Sequence, residues 1–182
     1  MLSPINENFG ASLLPTKVYQ RCNQLIAEEL YQDLSSVNQK TAIEKVLAIL
    51  EECLFLNMGR VLIPDNTGKY LRIKYSHGLP TEKRFITYKI GEGISGFVYT
   101  SGEAMYIDDL ETNSMYQGRL IDPNDLPYSK PAFSGVPIKS PGGKTIGVLC
   151  VNHGYRNAEE VKLTLSTLTE TARMLSRFLL NL

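Results

Sequence analysis

Residues 132–151 read AFSGVPIKSPGGKTIGVLCV, two apolar runs joined by a Pro-Gly-Gly-Lys turn. Turn residues between two such runs predict a β-hairpin with strands at Ala132–Lys139 and Thr145–Asn152. The run Ile146–Val151 is apolar at successive positions rather than at alternate ones. We therefore expect this strand to lie at the centre of a sheet that is covered on both faces.

A second hairpin is predicted upstream of the first. Arg60–Pro64 is a short apolar run, Asp65–Gly68 is a turn, and apolar and charged residues alternate in Tyr70–Ser76. Further short strands are predicted at Phe85–Ile90 and Ala104–Ile107. Two hairpins without a regular alternation of strands and helices indicate an α+β fold with a six-stranded, mainly antiparallel sheet.

Helical periodicity appears on both sides of these strands. Apolar residues recur every three or four positions in residues 15–34, 41–54 and 157–182, which predicts three amphipathic helices. Thr41 and Glu44 have the spacing of a capping box, so the second helix is expected to begin there. Residues 1–14 are polar and are expected to form a flexible arm before a single domain at residues 15–182.

The last predicted helix carries an apolar seam with alternating spacings of four and three. Asn157 and Glu160 have the spacing of a capping box at its start. A repeat of 3.5 residues is typical of coiled coils, so the seam predicts a dimer bundle or a connection to another domain. A helix lying on its own sheet is the alternative, and needs only the first three turns. The seam consists of Val161, Leu165, Leu168, Ala172, Leu175, Leu179 and Leu182.

Composition narrows the class of protein. The 182 residues contain 19 Lys and Arg and 19 Asp and Glu, a balance that argues against a dedicated nucleic-acid binder. No apolar run has the length of a membrane span, and the N-terminus does not resemble a signal peptide. The three cysteines, Cys22, Cys53 and Cys150, are far apart in the sequence and predict neither a disulfide framework nor a zinc site. We expect a cytoplasmic protein that does not interact with membranes or bind nucleic acid directly.

Residues 91–96, GEGISG, match the glycine spacing of a dinucleotide-binding loop. The helix that this loop opens is stopped by Gly102, and hairpins rather than βαβ units surround it, so a dinucleotide site is not expected. One interpretation is a tight turn whose glycines let a short helix lie close to the sheet. Another is the wall of a ligand pocket, where a helix N-terminus can receive an anion.

Several segments together resemble the GAF domain family. Residues 88–103, YKIGEGISGFVYTSGE, are similar to the family's GEGI-G-V--TGE signature, and residues 104–109, AMYIDD, to the strand that follows it. The hairpin of residues 133–151 is similar to the family's VPi---g--iGVL-v pattern. The resemblance extends from about residue 38 to residue 180, and bacterial GAF domains of nitrogen-regulatory activators and sensor kinases are the most similar members.

This resemblance implies a fold and a role. The family has a six-stranded antiparallel sheet, with the N- and C-terminal helices on one face, often in a parallel dimer bundle. Short helices and loops on the other face enclose a small-molecule pocket. Family ligands include cyclic nucleotides, bilins, haem, 2-oxoglutarate and nitrate, so the resemblance implies sensing but leaves the ligand and any cofactor unidentified.

Enzymatic activity is not expected. Some family members reduce free methionine sulfoxide with cysteines in the pocket loops, but residues 77–135 contain no cysteine and Cys150 falls in a predicted buried strand. A linking cysteine for a bilin and the N-K-x-F-D-E motif of cyclic-nucleotide binders are also missing. His77 and His153, the two histidines, are interpreted as ordinary hydrogen-bonded residues rather than metal ligands. No catalytic or metal residues are predicted.

Candidate ligand-binding residues come from four places in the sequence. Four aromatic side chains could line an apolar wall or simply fill the core. The polar loop at residues 110–131 is interpreted as a lid whose cations, Arg119 or Lys130, meet an anionic ligand, or else as a solvated loop. A pair of carboxylates at the end of the fourth strand could act as an acid/base pair, for which no nucleophile is identifiable, could bind ligand, or could cap the loop. The full set is Tyr75, Phe85, Tyr88, Phe97, Asp108, Asp109, Tyr116, Arg119, Tyr128 and Ser134, the last from the family-like hairpin.

The predicted function is regulatory. A small molecule of unknown identity binds between the sheet and residues 91–131 and changes how helices 15–34, 41–54 and 157–182 pack in a homodimer. The chain is then the sensory part of a larger regulator with an output domain, or a stand-alone protein that acts on a partner. The alternative is a ligand-free module for dimerisation or protein interaction, and a free methionine sulfoxide reductase is the least favoured reading.

Overall fold

The computed structural model describes residues 16–33, 38–120 and 122–180. The predicted arm at residues 1–14 and the last seam residue, Leu182, lie outside them. The described residues form the helices α1 (Thr16–Asp33), α2 (Gln39–Leu54), α3 (Gly93–Ser101) and α4 (Ala158–Leu179). Their strands are β1 (Asn57–Pro64), β2 (Tyr70–Ser76), β3 (Thr87–Lys89), β4 (Met105–Ile107), β5 (Pro131–Lys139) and β6 (Thr145–Gly154), with short 3-10 helices at Thr81–Phe85 and Pro123–Asp125.

The six strands form one antiparallel sheet in the order β3-β2-β1-β6-β5-β4, which confirms the predicted fold class. The helices α1, α2 and α4 cover one face, and α3 lies on the other. As predicted, β6 is central and buried on both faces. Leu149 and Val151 belong to the core beneath the three long helices, whereas Val148 and Cys150 belong to the core beneath α3.

A bulge in β2 breaks the alternation on which the sequence prediction relied. Val61 pairs with Tyr75, but Leu62 pairs with Ile73, so Lys74 is an extra residue in β2. Because a one-residue insertion reverses the faces of the following side chains, Ile73 packs in the α3-side core while Tyr75 lies under the long helices.

Two local predictions are wrong, and one is confirmed. Helix α2 begins at Gln39, and the side chain of Asn38 accepts a hydrogen bond from the Thr41 amide at 3.4 Å, so Thr41 is inside the helix rather than its cap. Phe85 ends a 3-10 helix instead of beginning β3. The predicted capping box of α4 is present: Asn157 accepts from the Glu160 amide, and the Glu160 carboxylate accepts from the Asn157 amide.

The apolar seam of α4 is used within this chain. Leu168, Ala172, Leu175 and Leu179 are buried in the core that α4 shares with α1, α2 and the sheet. The exposed positions of the helix are mostly polar and include Lys162, Ser166, Thr169, Arg173 and Arg177. Most of the described seam residues therefore pack within this chain, and a dimer bundle stays a prediction. In the described part of the chain, no helix combines the length and apolarity needed to cross a bilayer.

Candidate functional site

The face of the sheet opposite the three long helices carries α3 and the cover loop, which we define as residues 110–120. Gly96 lets α3 approach the preceding turn, since a Cβ there would lie 3.0 Å from the backbone of Gly91 and from the Lys89 carbonyl oxygen. Gly102, with φ of +66°, ends the helix after nine residues. The GEGISG glycines thus fit a close approach of helix to sheet, and the helix is too short for a dinucleotide-binding crossover.

The cover loop is attached to the domain by apolar anchors and by one ion pair. Leu110 and Leu120, at its two ends, are buried in the α3-side core. Arg119 donates to both carboxylate oxygens of Glu92, at 2.7 and 3.3 Å. The Lys89 amide also donates to Glu92 at 3.0 Å, and this bond together with Arg119 lowers the pKa of the Glu92 carboxyl. Because the pair is partly exposed, it fixes the geometry of the loop more than it stabilises the fold.

A small cavity of about 30 Å³ lies between the sheet and the cover loop. Tyr88 and Phe133 of the sheet form part of its floor, Ile94 and Ser95 of α3 form one wall, and residues 115–120 form the roof. Burial raises the pKa of the Tyr88 hydroxyl, so this group is a neutral hydrogen-bonding group at physiological pH. The Ser95 hydroxyl lies 3.5 Å from the Cys150 sulfur, beneath the wall.

Arg60 places a positive charge in the floor of this cavity. Its side chain is only 3% exposed, and its guanidinium lies 5.5 Å from the centroid of the Phe133 ring. One terminal nitrogen donates to the Met58 carbonyl and to the Asn152 Oδ1, both at 2.8 Å. Met58 has φ of +52°, at an irregularity in the pairing of β1 with β6. This backbone distortion next to a buried cation is a local strain of the kind that concentrates at functional sites.

Two buried hydrogen-bond donors on the α3 side of the sheet, one on Arg60 and one on its partner Asn152, have no acceptor. The Nε of Arg60 and the Nδ2 of Asn152 are both buried without an acceptor. Among the described residues, no carboxylate pairs with Arg60, and the lining of the cavity contains two arginines and no acidic side chain. Burying a charge without a counter-ion is costly in the free energy of folding. A negative charge or hydrogen-bond acceptors placed near Arg60 would reduce that cost.

Three predicted ligand-binding residues line the cavity: Tyr88, Tyr116 and Arg119. Tyr75 does not, because the bulge in β2 turns it into the core under the long helices. Phe85 is 81% exposed at the end of its 3-10 helix, and Phe97 lies on the exposed side of α3, so neither faces the cavity.

The remaining four predicted residues make structural contacts elsewhere. Asp108 pairs with Lys130 at 3.3 Å, and Lys130 also lies over the Tyr155 ring. Asp109 caps the backbone amides of residues 111 and 112, the capping role considered for this pair. The Tyr128 hydroxyl donates to the Phe55 carbonyl at 3.5 Å.

Ser134, the fourth, is fully buried on the face of the long helices. Its hydroxyl lies 2.8 Å from the Nε2 of His153, whose Nδ1 lies 2.7 Å from the Gly154 carbonyl. Since a carbonyl only accepts, the proton is on Nδ1, and Ser134 donates to Nε2. The pair has the geometry of a nucleophile and base, but both residues are fully buried, so a substrate has no access. The other histidine, His77, bonds the Glu51 carboxylate at 2.7 Å.

The sequence analysis missed Arg60 and Asn152, the two residues with unpartnered donors. A charged side chain in an otherwise apolar strand is a signal that could have identified Arg60. Asn152 gives a weaker signal, because it falls at the end of an apolar run where a polar residue is ordinary. Asn152 pairs with Asn57 and Arg60 with Cys150, so the contact between Arg60 and Asn152 depends on the irregular pairing of β1 with β6, which no local pattern reveals.

Comparison with known proteins identifies the family and matches the fold. The GAF domain family model matches residues 39–179. The Nif-specific regulatory protein of Azotobacter vinelandii is 29% identical over 168 residues, covering 90% of this chain and 31% of that protein. The Nif-specific regulatory protein of Enterobacter agglomerans is 27% identical over 150 residues, covering 80% of this chain and 27% of that protein. The chain therefore spans about a quarter to a third of the length of these relatives.

Solved structures give the same result for the fold. The GAF domain of A. aeolicus nlh2, described as being in an inactive state, superposes with a TM-score of 0.75 and 24% identity, covering 90% of this chain and 97% of that one. A free methionine-R-sulfoxide reductase from Neisseria meningitidis superposes with a TM-score of 0.64 and 18% identity, covering 89% and 86%. With the family model matching most of its length, this chain belongs to the GAF domain family.

Proposed function

We propose that this domain is a regulatory sensor that binds a small molecule between the sheet and the cover loop. The observation that carries the proposal is the small cavity between the sheet and the cover loop, which is lined by the buried cation Arg60. A core packed only for stability rarely buries a charged side chain without a charged partner. The similarity to Nif-specific regulatory proteins supports a role in the control of transcription, through an output region outside this chain or through a partner protein.

Successive side chains of the central strands lie on opposite faces of the sheet, so these strands contact both the pocket and the long helices. Arg60 lies in the cavity floor, and the next residue, Val61, lies in the core under the helices. Asn152 on β6 is likewise flanked by Val151 and His153, which are buried on the helical side. In this proposal a ligand that shifts β1 or β6 changes the packing of α1, α2 and α4. It does so only if it binds one packing more tightly than the other.

Dimerisation through these helices is part of the proposal. The α4 seam is occupied within the chain, so a dimer would have to use the outer faces of the helices. Those faces are mostly polar in α1 and α4, which suggests an interface dependent on concentration and salt rather than a permanent one. Sedimentation equilibrium from low to high micromolar concentration tests this point. A monomer at all concentrations contradicts dimerisation by the isolated domain.

We propose that the domain is cytoplasmic and has no enzymatic activity of its own. Burial raises the pKa of the Cys150 thiol, and the pKa of Cys22 is raised to about 12 by burial and by the neighbouring Cys53. A thiol mechanism requires an accessible thiolate, which neither residue supplies, and the partly exposed Cys53 lies on α2, on the face of the sheet opposite the cavity. The reductase of similar fold therefore indicates a shared scaffold, and its chemistry is not proposed for this chain.

Thermal unfolding of the purified domain against a panel of small metabolites tests the sensing proposal. A ligand at 100 times its dissociation constant stabilises by about 2.7 kcal/mol, a shift of several degrees for a domain of this size. Ser95→Leu, which fills the cavity wall, should abolish the shift, and the exposed Ser129→Leu should preserve it. No shift with any compound, using protein shown to be free of ligand, would contradict sensing. That result would favour the alternative module for protein interaction, which the small volume of the cavity also fits.

A further inference from the structure

We infer that a groove between α2 and the β2–β3 edge of the sheet binds an acidic segment of a partner protein that carries a large apolar side chain. We define this basic groove as residues 40, 44, 72–74, 76 and 84–87, which have a volume of about 370 Å³ between them. The groove is separate from the cavity under the cover loop. Binding at this surface therefore goes beyond the proposed function and does not depend on a ligand in the cavity.

The basic groove is strongly positive although the chain as a whole is neutral. Its described lining contains four cations, Lys40, Arg72, Lys74 and Arg84, and one carboxylate, Glu44. Over the whole chain, 19 Lys and Arg balance 19 Asp and Glu. A concave surface with an excess of one sign of charge favours a partner of the opposite sign, because complementary charges speed and orient association.

Two of these cations lack a carboxylate partner. Lys40 and Arg72 each pair with a carboxylate, at 3.8 and 3.6 Å. Lys74 and Arg84 are exposed and form no ion pair with any residue in the ranges 16–33, 38–120 and 122–180 that the structure describes. Both charges are therefore available to carboxylates of another molecule.

The groove also contains an exposed aromatic residue. Phe85, at the end of its 3-10 helix, is 81% exposed and lines the groove together with the partly exposed Ile73 and Ile86. Aromatic and aliphatic anchors surrounded by charged groups are typical of protein interfaces. A segment that places an apolar side chain against Phe85 and carboxylates near Lys74 and Arg84 would match both features of the groove.

A protein segment fits this surface better than a nucleic acid does. Proteins that bind single-stranded nucleic acid combine a continuous track of cations with several aromatic side chains on which bases stack. Among the described residues that line it, the basic groove has one aromatic side chain, and two of its four cations are already paired.

The partner segment would bind through side chains rather than as an added strand. The edge strand β3 is only three residues long. The amide and the carbonyl of Lys89 are already bonded to Glu92, so this end of the strand cannot pair with another chain.

A selection of random peptides displayed on phage, with the purified domain as the target, tests the chemistry of the partner. We expect the enriched peptides to combine Asp or Glu with a large apolar residue. A synthetic copy of one such peptide is then titrated with the domain by fluorescence anisotropy. Its affinity should fall as the salt concentration rises, because exposed charges are screened by salt.

Variants then locate the binding. Lys74→Gln combined with Arg84→Gln should weaken binding of the selected peptide at least about fivefold, and so should Phe85→Ala. Because these side chains are exposed, the variants should unfold at the temperature of the parent, which a thermal scan checks. The matched controls are Lys162→Gln, at an exposed cation of α4, and Tyr31→Ala, at an aromatic residue of α1 that is 79% exposed. Both should leave the affinity unchanged.

Four outcomes would overturn this inference. They are a library that yields no binder, enriched peptides without acidic residues, and a selected peptide whose affinity is the same for both groove variants. The fourth is tighter binding of oligouridylate RNA or of phosphatidylserine vesicles than of the peptide, lost in the same variants, which would assign the groove to a nucleic acid or a membrane. The sensing proposal is tested separately, because Ser95→Leu fills the cavity and should leave peptide binding unchanged.

Discussion

His153 provides a sharp test of the buried polar contacts beneath the long helices. Its ring lies between the Ser134 hydroxyl of β5 and the Tyr106 ring of β4, with ring centroids 5.8 Å apart. The cation nearby is Arg156, whose side chain is buried and donates to the Tyr19 hydroxyl. Burial, reinforced by the charge of Arg156, lowers the pKa of His153 from 6.5 to about 4.

The sign of the pH dependence follows from this lowered pKa. The unfolded chain protonates this histidine near pH 6.5, whereas the folded domain resists protonation until about pH 4. Within that window the unfolded state binds more protons, so the free energy of unfolding falls as the pH falls. One pH unit of proton uptake by one group corresponds to about 1.36 kcal/mol. Titration of His153 alone therefore lowers the free energy of unfolding by about 2 kcal/mol between pH 8 and pH 5, and by roughly 3 kcal/mol at pH 4.

Urea denaturation at pH values from 4 to 8 measures this loss. We expect His153→Gln to flatten the slope between pH 6.5 and pH 5, above the range in which most carboxylates titrate. Ser166→Gln, at an exposed position of α4, is the control and should keep the slope of the parent. An unchanged slope in His153→Gln would show that the histidine is not held neutral by burial, and would refute the reasoning.

Three further predictions concern the cover, the seam and the thiols. Gly96→Ala should lower the free energy of unfolding, measured with urea, by roughly 1–3 kcal/mol, because the new Cβ meets backbone atoms at 3.0 Å. The control Gly142→Ala, in the open turn after β5, should be nearly neutral. Equal effects of the two substitutions would contradict the close approach of α3. Leu168→Ala should lower the free energy of unfolding by about 2–5 kcal/mol. It should leave the mass measured by sedimentation unchanged, because Leu168 packs within the chain. A change in mass would show that the seam contributes to an interface between chains. A thiol-specific aromatic disulfide reagent should modify the partly exposed Cys53 before Cys22, because Cys22 is buried and its pKa is raised to about 12. Mass spectrometry follows the order of modification. Modification of Cys22 first would contradict its burial.

The fold could be predicted from the sequence because its signals are local. Three local patterns each predict one element within about twenty residues: the 4-3 spacing of α4, the Pro-Gly-Gly-Lys turn and the apolar run of β6. The GAF resemblance adds the order of the elements. The spacing of α4 does not reveal which surface its seam meets, and in the structure that surface belongs to the same chain.

The site could be predicted only in part, because the facing of side chains depends on strand register. Tyr88 and Arg119 were identified from a strand and a loop whose positions follow from the family-like order. Tyr75 was assigned to the wrong face because the bulge at Lys74 leaves no mark in the alternation of apolar residues. Arg60 is a charged residue in an apolar run, but nothing local connects it with its hydrogen-bond partner Asn152, which is far away in the sequence.

The central claim is that this domain binds a small molecule between the sheet and the cover loop, and a crystal structure of the domain grown with the most stabilising compound of the panel tests it most directly. The account predicts density for that compound between the sheet and residues 115–120, within hydrogen-bond distance, about 2.7–3.2 Å, of a polar group that lines the cavity. Ordered water alone in the cavity, with the compound bound elsewhere on the surface, would contradict the account.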